Sequence, residues 1–387
     1  MLIGIPKEIL AEEKRVAATP ETVKKFIALG FDVAIQSSAG DGVLISDDEY
    51  KNVGAKLIAD PEKLFAESDI ILKVKQPDFN QQVGKHEADM LRDGGMLITF
   101  LHPASPDNHS MIKRLRDKAI TSFTMDGIPR ISRAQRMDAL SSMSTVTGYK
   151  SVIMAANQMQ TFVPMIGTAI GTIKPARFLI IGAGVVGLQA IATAKKLGGI
   201  IKALDIRKNA STEAQSLGAK SVEFDIPQEL ALEEGGYAKS LENEWLKKER
   251  DIISQHIKEA DVIILSALVP GEVAPVLITE AMVATMKPGS VIMDVSVDQG
   301  GNCEITEHGR FVQKFNVNIC GIQNIPGRMA THASWLYANN IYYYVENLFK
   351  KGIGKIDLSD EIVANSLVTH ESRIHYKGAL KAMGIES

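Results

Sequence analysis

Short apolar runs recur along the chain, each followed by a stretch in which apolar residues return every three to four positions. The runs are residues 2–5 (LIGI), 31–35 (FDVAI), 70–74 (IILKV), 96–100 (MLITF) and 120–123 (ITSF) in the first third. A second series follows at 177–181 (RFLII), 200–205 (IIKALD), 221–224 (SVEF), 262–265 (VIIL), 291–294 (VIMD) and 317–320 (VNIC). Runs this short and this apolar predict strands buried on both faces, and the helical spacing between them predicts crossover helices. Thr19 and Pro20 mark one helix start, as N-cap and first helical residue, and that helix is expected to end near Gly30. Another is expected over 111–118. The pattern predicts an α/β protein with two doubly wound parallel-sheet domains. After Pro326 the spacing turns helical through Tyr337 to Leu348. A doubly wound domain is already complete by then, so this tail is expected to rejoin the first domain. The predicted domains are 1–143 plus 327–387, and 144–326.

Two stretches depart from this rhythm. Residues 151–173 are the most apolar long segment, yet they include Asn157, Gln158, Gln160 and Pro164. A bilayer span needs about 20 mainly apolar residues, so the expectation is a buried or domain-crossing helix and no membrane span. Residues 225–261 form a connection far longer than such units need. Its first part, 227–236, ends in two glycines before Tyr237, and 239–260 reads as an amphipathic helix. An exposed glycine-rich tip of this kind is either decoration or a mobile lid.

Composition narrows the chemistry. A net charge of −3 on 387 residues gives no field that would gather nucleic acid or anionic lipid. The eight histidines form no metal-binding pair, so no metal is expected. Two cysteines, Cys303 and Cys320, imply no disulfide framework and fit a reducing compartment. Lys7 and Glu8 stand where a secretion signal would need an apolar core.

The strand at 177–181 runs into Gly182-Ala183-Gly184-Val185-Val186-Gly187, with a helix opening inside the motif. Gly182 permits the tight turn, Gly184 lets a pyrophosphate approach the backbone at the helix N-terminus, and Gly187 lets helix and strand pack closely. Asp205, at the end of the next strand, is placed to hold ribose hydroxyls and repel a 2′-phosphate, which selects NAD over NADP. Ile206 adjoins it, and Arg207 is placed to soften that preference. Ser266, Ala267 and Leu268 leave a strand at the same edge, where such loops line the nucleotide crevice. The second domain is therefore expected to be a Rossmann NAD-binding domain. The glycines of Asp298-Gln299-Gly300-Gly301-Asn302 fit close approach to a ligand or an ordinary turn equally well.

The segment 129–142, PRISRAQRMDALSS, is dense in polar groups. Gln135, Asp138 and Ser141 lie three apart and Arg130 just upstream. A helical turn would put the three on one face, able to hold a carboxamide and a ribose, or serving only as a capped, solvated helix start. This segment resembles the nicotinamide-placing loop of the proton-translocating nicotinamide nucleotide transhydrogenases. The resemblance runs from IPKE and RVAATP to GGNCEIT and PGR, and includes GGYAK at 235–239, which looks like that family's mobile loop. The chain resembles the separate soluble portion of the alpha subunit in systems where that subunit is split. The resemblance implies that Arg130, Gln135, Asp138, Ser141 and Tyr237 serve NAD(H) binding and hydride-transfer geometry. It also implies partners: a beta subunit binding NADP(H), and the membrane portion of the split alpha subunit, which carries the proton; a homodimer is expected separately, because an NAD-binding pair of doubly wound domains usually dimerises. The implied location is the cytoplasm, peripheral to the inner membrane through those partners.

Alanine dehydrogenases share much of this sequence, and Arg15, Lys75, His102 and Asp298 match the residues that family uses on its 2-oxo acid. In that reading Arg15 and Lys75 hold carboxylate and carbonyl, His102 is the acid/base and Asp298 orients imine or water. That family lacks the long Gly-Gly-Tyr loop and its charged helix, and differs over 130–142. A third class, a non-catalytic NAD sensor, also stays open.

Overall fold

The computed structural model describes residues 1–232, 238–269 and 273–385. In chain order the first strands are β1 (Leu2–Ile5), β2 (Asp32–Gln36), β3 (Lys56–Ile58), β4 (Ile70–Leu72), β5 (Met96–Thr99) and β6 (Thr121–Thr124). There follow β7 (Arg177–Ile181), β8 (Ile200–Leu204), β9 (Lys220–Ser221), β10 (Val262–Leu265), β11 (Val291–Asp294), β12 (Phe311–Lys314) and β13 (Val317–Cys320). The last pair is β14 (Leu367–His370) and β15 (Arg373–Ile374). The chain divides into two compact units, 1–143 with 326–387, and 144–325.

The first unit holds an eight-stranded sheet in the order β15-β14-β6-β5-β4-β1-β2-β3. Its strands from β3 to β6 are all parallel, and β14 and β15 add antiparallel to one edge. Ile3, Ile5, Ile70, Ile71, Leu97 and Ile98 are fully buried, as expected for strands covered on both faces. The helix Pro20–Ala28 starts at Thr19, whose N–H donates to Thr22 Oγ1 at 2.9 Å. The long helix Ala330–Leu348 returns to this unit with Tyr337, Ile341, Tyr344 and Val345 buried. The edge strands β3, β14 and β15 go beyond the sequence expectation. Each is four residues or fewer and carries charge or polarity among its apolar positions, too short for a period to register.

The second unit holds seven strands in the order β9-β8-β7-β10-β11-β13-β12, parallel except for the antiparallel edge strand β12. This is the doubly wound order in which the sheet switches direction between β7 and β8 on one side and β10 on the other. The expected α/β class, with a Rossmann-type second sheet, is what the structure shows.

The expectation of one helix over 151–173 is corrected. The helix runs Ala139–Gln158 and stops; an antiparallel hairpin of Ile166–Thr168 with Gly171–Ile173 follows. Pro164 cannot continue a helical ladder, and Gly171 turns the chain at φ +139°. Past the helix, Phe162, Met165, Ile170 and Ile173 of this apolar stretch are exposed, Ile170 at 99%. The expected strand at 221–224 is likewise shorter, ending at Ser221.

Candidate functional site

β7 delivers its last residue, Ile181, into the glycine turn, and the helix Val185–Lys196 opens with Gly184 as N-cap. Gly182 sits at φ +88°, and a Cβ there would lie 2.7 Å from the Ser266 carbonyl. At Gly187 a Cβ would fall 1.9 Å from the Gly182 carbonyl oxygen, so helix and turn meet at a distance that only glycine permits. Gly184 is different. The nearest atom to a Cβ there is Arg207 Nη2, at 3.9 Å. Two glycines are thus required by the protein's own packing. The third faces open space at a helix N-terminus, where the unpaired N–H groups of the first turn favour an anion. A dinucleotide pyrophosphate fits that cradle. Gly184, Val185 and Val186 are half-buried around it.

Asp205, its side chain 4% exposed, closes the end of β8. Its carboxylate accepts from the Ala183 N–H at 2.7 Å, from the Arg207 N–H at 2.8 Å, and from Arg207 Nε and Nη2 at 2.9 and 2.7 Å. Burial works against the Arg207 charge, but these bonds to Asp205 outweigh it and hold the guanidinium above its usual range. Arg207 is thus folded onto Asp205 rather than extended towards a 2′-phosphate. Ile206, between them, is half-buried.

Ser266 leaves β10 and donates from Oγ to the Gly182 carbonyl at 2.9 Å, tying the second loop to the glycine turn. Ala267 is fixed by a residue that sequence reading did not single out for this role. The fully buried Asn302 accepts from the Ala267 N–H at 3.1 Å and donates to its carbonyl at 2.9 Å. Asn302 also donates to the Pro275 carbonyl at 2.8 Å and accepts from Ser296 Oγ at 2.7 Å. Its own N–H goes to the buried Asp294 carboxylate at 3.1 Å, which also takes Cys303 N–H and Thr306 Oγ1. A Cβ on Gly301 would lie 2.8 Å from Asp294 Oδ2. Gly301 thus closes on Asp294, whereas a Cβ on Gly300 would lie 2.9 Å from Val273 Cγ1. Leu268 is half-buried beyond Ala267, and Tyr237 and residues 270–272 lie outside the described residues.

In the first unit, Ser132–Met137 is a 3-10 helix, broken at Asp138 before the helix Ala139–Gln158 begins. Asp138 accepts from the Ser141 N–H at 2.9 Å and from Ser141 Oγ at 2.6 Å, a helix-start cap. Arg130 and Gln135 are exposed. Behind this segment Arg133 bonds Asp360 at 2.9 Å, Asn340 donates to the Arg136 carbonyl at 2.9 Å, and Arg136 lies 3.4 Å over the Tyr343 ring.

A second polar cluster occupies the carboxyl ends of β4 and β5. His102, at φ +45°, places Nδ1 2.8 Å from Asp126 and stacks flat on Phe100. Burial opposes the Asp126 charge, but His102 and Thr124 outweigh it and hold the carboxyl below its usual range. Arg15 is buried and paired with Glu13 through two bonds, at 2.8 and 2.6 Å. Lys75 lies near enough to Glu13 to help lower its carboxyl, after the larger effects of burial, which opposes, and Arg15. Arg15, Lys75 and His102 thus all belong to the first unit. Asp298 belongs to the second, where it accepts from Gln323 at 2.8 Å. Among the described residues no group of histidines, cysteines and carboxylates could hold a metal.

Two family models match the chain: alanine dehydrogenase/PNT N-terminal domain over residues 4–147, and alanine dehydrogenase/PNT C-terminal domain over 151–377. The chain is 40% identical to the first of the alpha-subunit chains of the Rhodospirillum rubrum NAD(P) transhydrogenase, over 97% of each. It is 30% identical to alanine dehydrogenase of Methanococcus maripaludis, over 99% of this chain and 96% of that one. A solved transhydrogenase structure from Sinorhizobium meliloti matches with TM-score 0.83 and 36% identity, covering 97% of this chain and 99% of that one.

Proposed function

The chain belongs to the alanine dehydrogenase/PNT family, and we propose that it is the NAD(H)-binding subunit of a proton-translocating NAD(P) transhydrogenase. The observation that carries this reading is the end-to-end match to a transhydrogenase subunit, at higher identity than the match to an alanine dehydrogenase. NAD(H), when bound, supplies or receives the hydride. The chain's own work is to bind, orient and exclude water, because direct transfer between two nicotinamides needs no general acid or base. Gly182, Gly184, Val185, Val186 and Gly187 hold the pyrophosphate, Asp205 with Ile206 and Arg207 the adenosine ribose, and Ser266, Ala267 and Leu268 the adjoining section of the crevice. Arg130, Gln135, Asp138 and Ser141 serve the nicotinamide, and Tyr237 helps to close over the nucleotide.

Hydride passes to NADP⁺ on a partner beta subunit, and a membrane partner, the other portion of the split alpha subunit, carries the proton. None of the described helices is long and apolar enough to cross a membrane, so this chain reaches the cytoplasmic face of the membrane through those partners. It works as a homodimer. The exposed apolar hairpin, with Met165 at 65% and Ile170 at 99%, supports a self-association surface. The test is to titrate the purified chain with NADH by fluorescence, then add an NADP(H)-binding partner and follow reduction of an NAD analogue with a shifted absorbance. Tight binding with transfer only in the mixture is expected. Tight binding without transfer in any mixture would overturn the reading.

A second reading, oxidative deamination of L-alanine to pyruvate and ammonia, is favoured by the His102–Asp126 pair standing in one unit with Arg15 and Lys75. NADH oxidation by the chain alone, with pyruvate and ammonium, would establish it.

A further inference from the structure

The 3-10 segment Ser132–Met137 repeats every three residues, so residues three apart eclipse and the segment has three faces. Ala134 and Met137 form one face and are buried. Arg133 and Arg136 form the second, Ser132 and Gln135 the third, and these residues are exposed. Such a run is long for its kind, because 3-10 hydrogen bonds are poorly aligned. Its exit shows this, where the Asp138 N–H reaches the Gln135 carbonyl only at 3.4 Å. The backbone alone therefore holds the rotation of the turn weakly, and that rotation sets where Gln135 points.

The arginine face is tethered to the returning C-terminal part of the same unit. Arg133 Nη1 donates to Asp360 Oδ2 at 2.9 Å. Asp360 is itself held fast. Its side chain is 5% exposed and also accepts from Lys350. Its other oxygen accepts from the Ile362 and Val363 N–H groups at 2.9 and 3.4 Å, capping the helix Glu361–Ser366. At the far end of the turn Arg136 lies 3.4 Å over Tyr343. Asn340, one turn before Tyr343 on the helix Ala330–Leu348, donates to the Arg136 carbonyl at 2.9 Å. The core grips one face of the turn and this C-terminal part grips the second, which leaves the Gln135 face to meet a ligand.

We propose that Arg133 is a positioning residue, which through Asp360 fixes the rotation of the turn and so the aim of Gln135 at the nicotinamide. This rests on the transhydrogenase reading above. An ion pair with its cation open to water adds little stability. A displacement of about 1 Å, however, is enough to spoil the approach of two reacting groups, at a cost of up to about a hundredfold in rate. Arg133 thus acts on the rate of transfer more than on affinity, which the glycine turn and Asp205 supply in that reading.

The experiment uses the chain mixed with the NADP(H)-binding partner, as wild type, Arg133→Met, Arg133→Lys, Asp360→Asn and the double variant Arg133→Met with Asp360→Asn. Transfer is followed at saturating nucleotide with the NAD analogue, and NADH affinity by fluorescence. Arg133 is exposed, so its variants keep the fold. Arg133→Met should transfer about tenfold more slowly, with NADH affinity within about threefold of wild type. Arg133→Lys restores a charged donor to Asp360 and should return to within about threefold of the wild-type rate. Asp360→Asn should match Arg133→Met, and in that background the loss of Arg133 should add less than about twofold, because the two residues act as one link. A wild-type rate in Arg133→Met would overturn the inference. So would losses that multiply in the double variant, since Arg133 would then act on the nucleotides or the partner without Asp360. Absence of transfer by the wild-type chain in any mixture would overturn the transhydrogenase reading and this one with it.

Discussion

Replacing Asn302 with alanine removes one side chain and unmakes four hydrogen bonds. Two of them hold the N–H and carbonyl of Ala267, one the Pro275 carbonyl and one the Ser296 hydroxyl. Ser296 is fully buried, so water cannot replace the partner it loses. Ala267 is half-buried and regains some solvation. A buried group left without a partner costs about 1–3 kcal/mol. Counting Ser296 in full and the half-buried Pro275 and Ala267 to a lesser degree gives a loss of roughly 2–4 kcal/mol, a large fraction of a domain's stability of about 5–15 kcal/mol. The effect is local to the second unit, which contains Trp245, while the chain's other tryptophan, Trp335, lies in the first. Urea unfolding followed by fluorescence on a Trp335→Phe background therefore reads the right unit. Asn302→Asp keeps the two acceptor contacts but sets a buried carboxylate oxygen against two carbonyls, and should cost at least as much as alanine. NADH binding should weaken in step, because Ala267 is tied through Ser266 to the glycine turn. A loss under about 1 kcal/mol with unchanged NADH affinity would refute the reasoning, since it would mean the loop at 266–268 holds its shape without the clamp.

Gly184→Ala and Gly187→Ala separate ligand space from protein packing. A Cβ at Gly184 has its nearest protein atom at 3.9 Å, so the variant should melt like wild type yet bind NADH at least about tenfold more weakly. Gly187→Ala, with its 1.9 Å overlap, should lose about 3 kcal/mol or more of stability as well. Asp360 has its carboxyl held well below the usual range, against the effect of burial, by bonds from Lys350 and Arg133. A depressed carboxyl stabilises the fold above its unfolded-state range and loses that contribution as pH falls towards its folded value. Asp360→Asn should therefore cost about 1–2 kcal/mol at pH 7, with the gap to wild type closing as urea midpoints are taken below pH 4. Ile170→Asp with Met165→Asp should convert the dimer to a monomer in sedimentation at unchanged NADH affinity; an unaltered dimer would remove the hairpin from the interface.

The glycine turn was legible because its physics is local: an apolar strand, three glycines and a helix start lie within a few residues of one another, and Asp205 closes the next strand. What holds that turn in place was not legible. Asp294, Asn302 and Ala267 are up to 35 residues apart in sequence, and a single Asn in a glycine-rich turn carries no sign of which backbone it will reach. The glycines at 300 and 301 fitted a close approach and an ordinary turn equally well, and the approach found at Gly301 is to the Asp294 carboxylate at the end of β11. The segment at 151–173 misled for another reason. Apolar content alone cannot separate a buried helix from an exposed apolar hairpin, and the deciding residues, Pro164 and Gly171, were only two among many. Glu249 did leave a signal. The helical spacing over 239–260 predicts an amphipathic helix, and within it Ile253 and Ile257 fix the buried stripe. Glu249 continues that stripe by one more turn. A charged residue in the apolar register of such a helix has to be paired, neutralised or turned towards a ligand. For Glu249, 4% exposed, the outcome is neutralisation, because burial first and the Asp205 charge second push its carboxyl up to about 8.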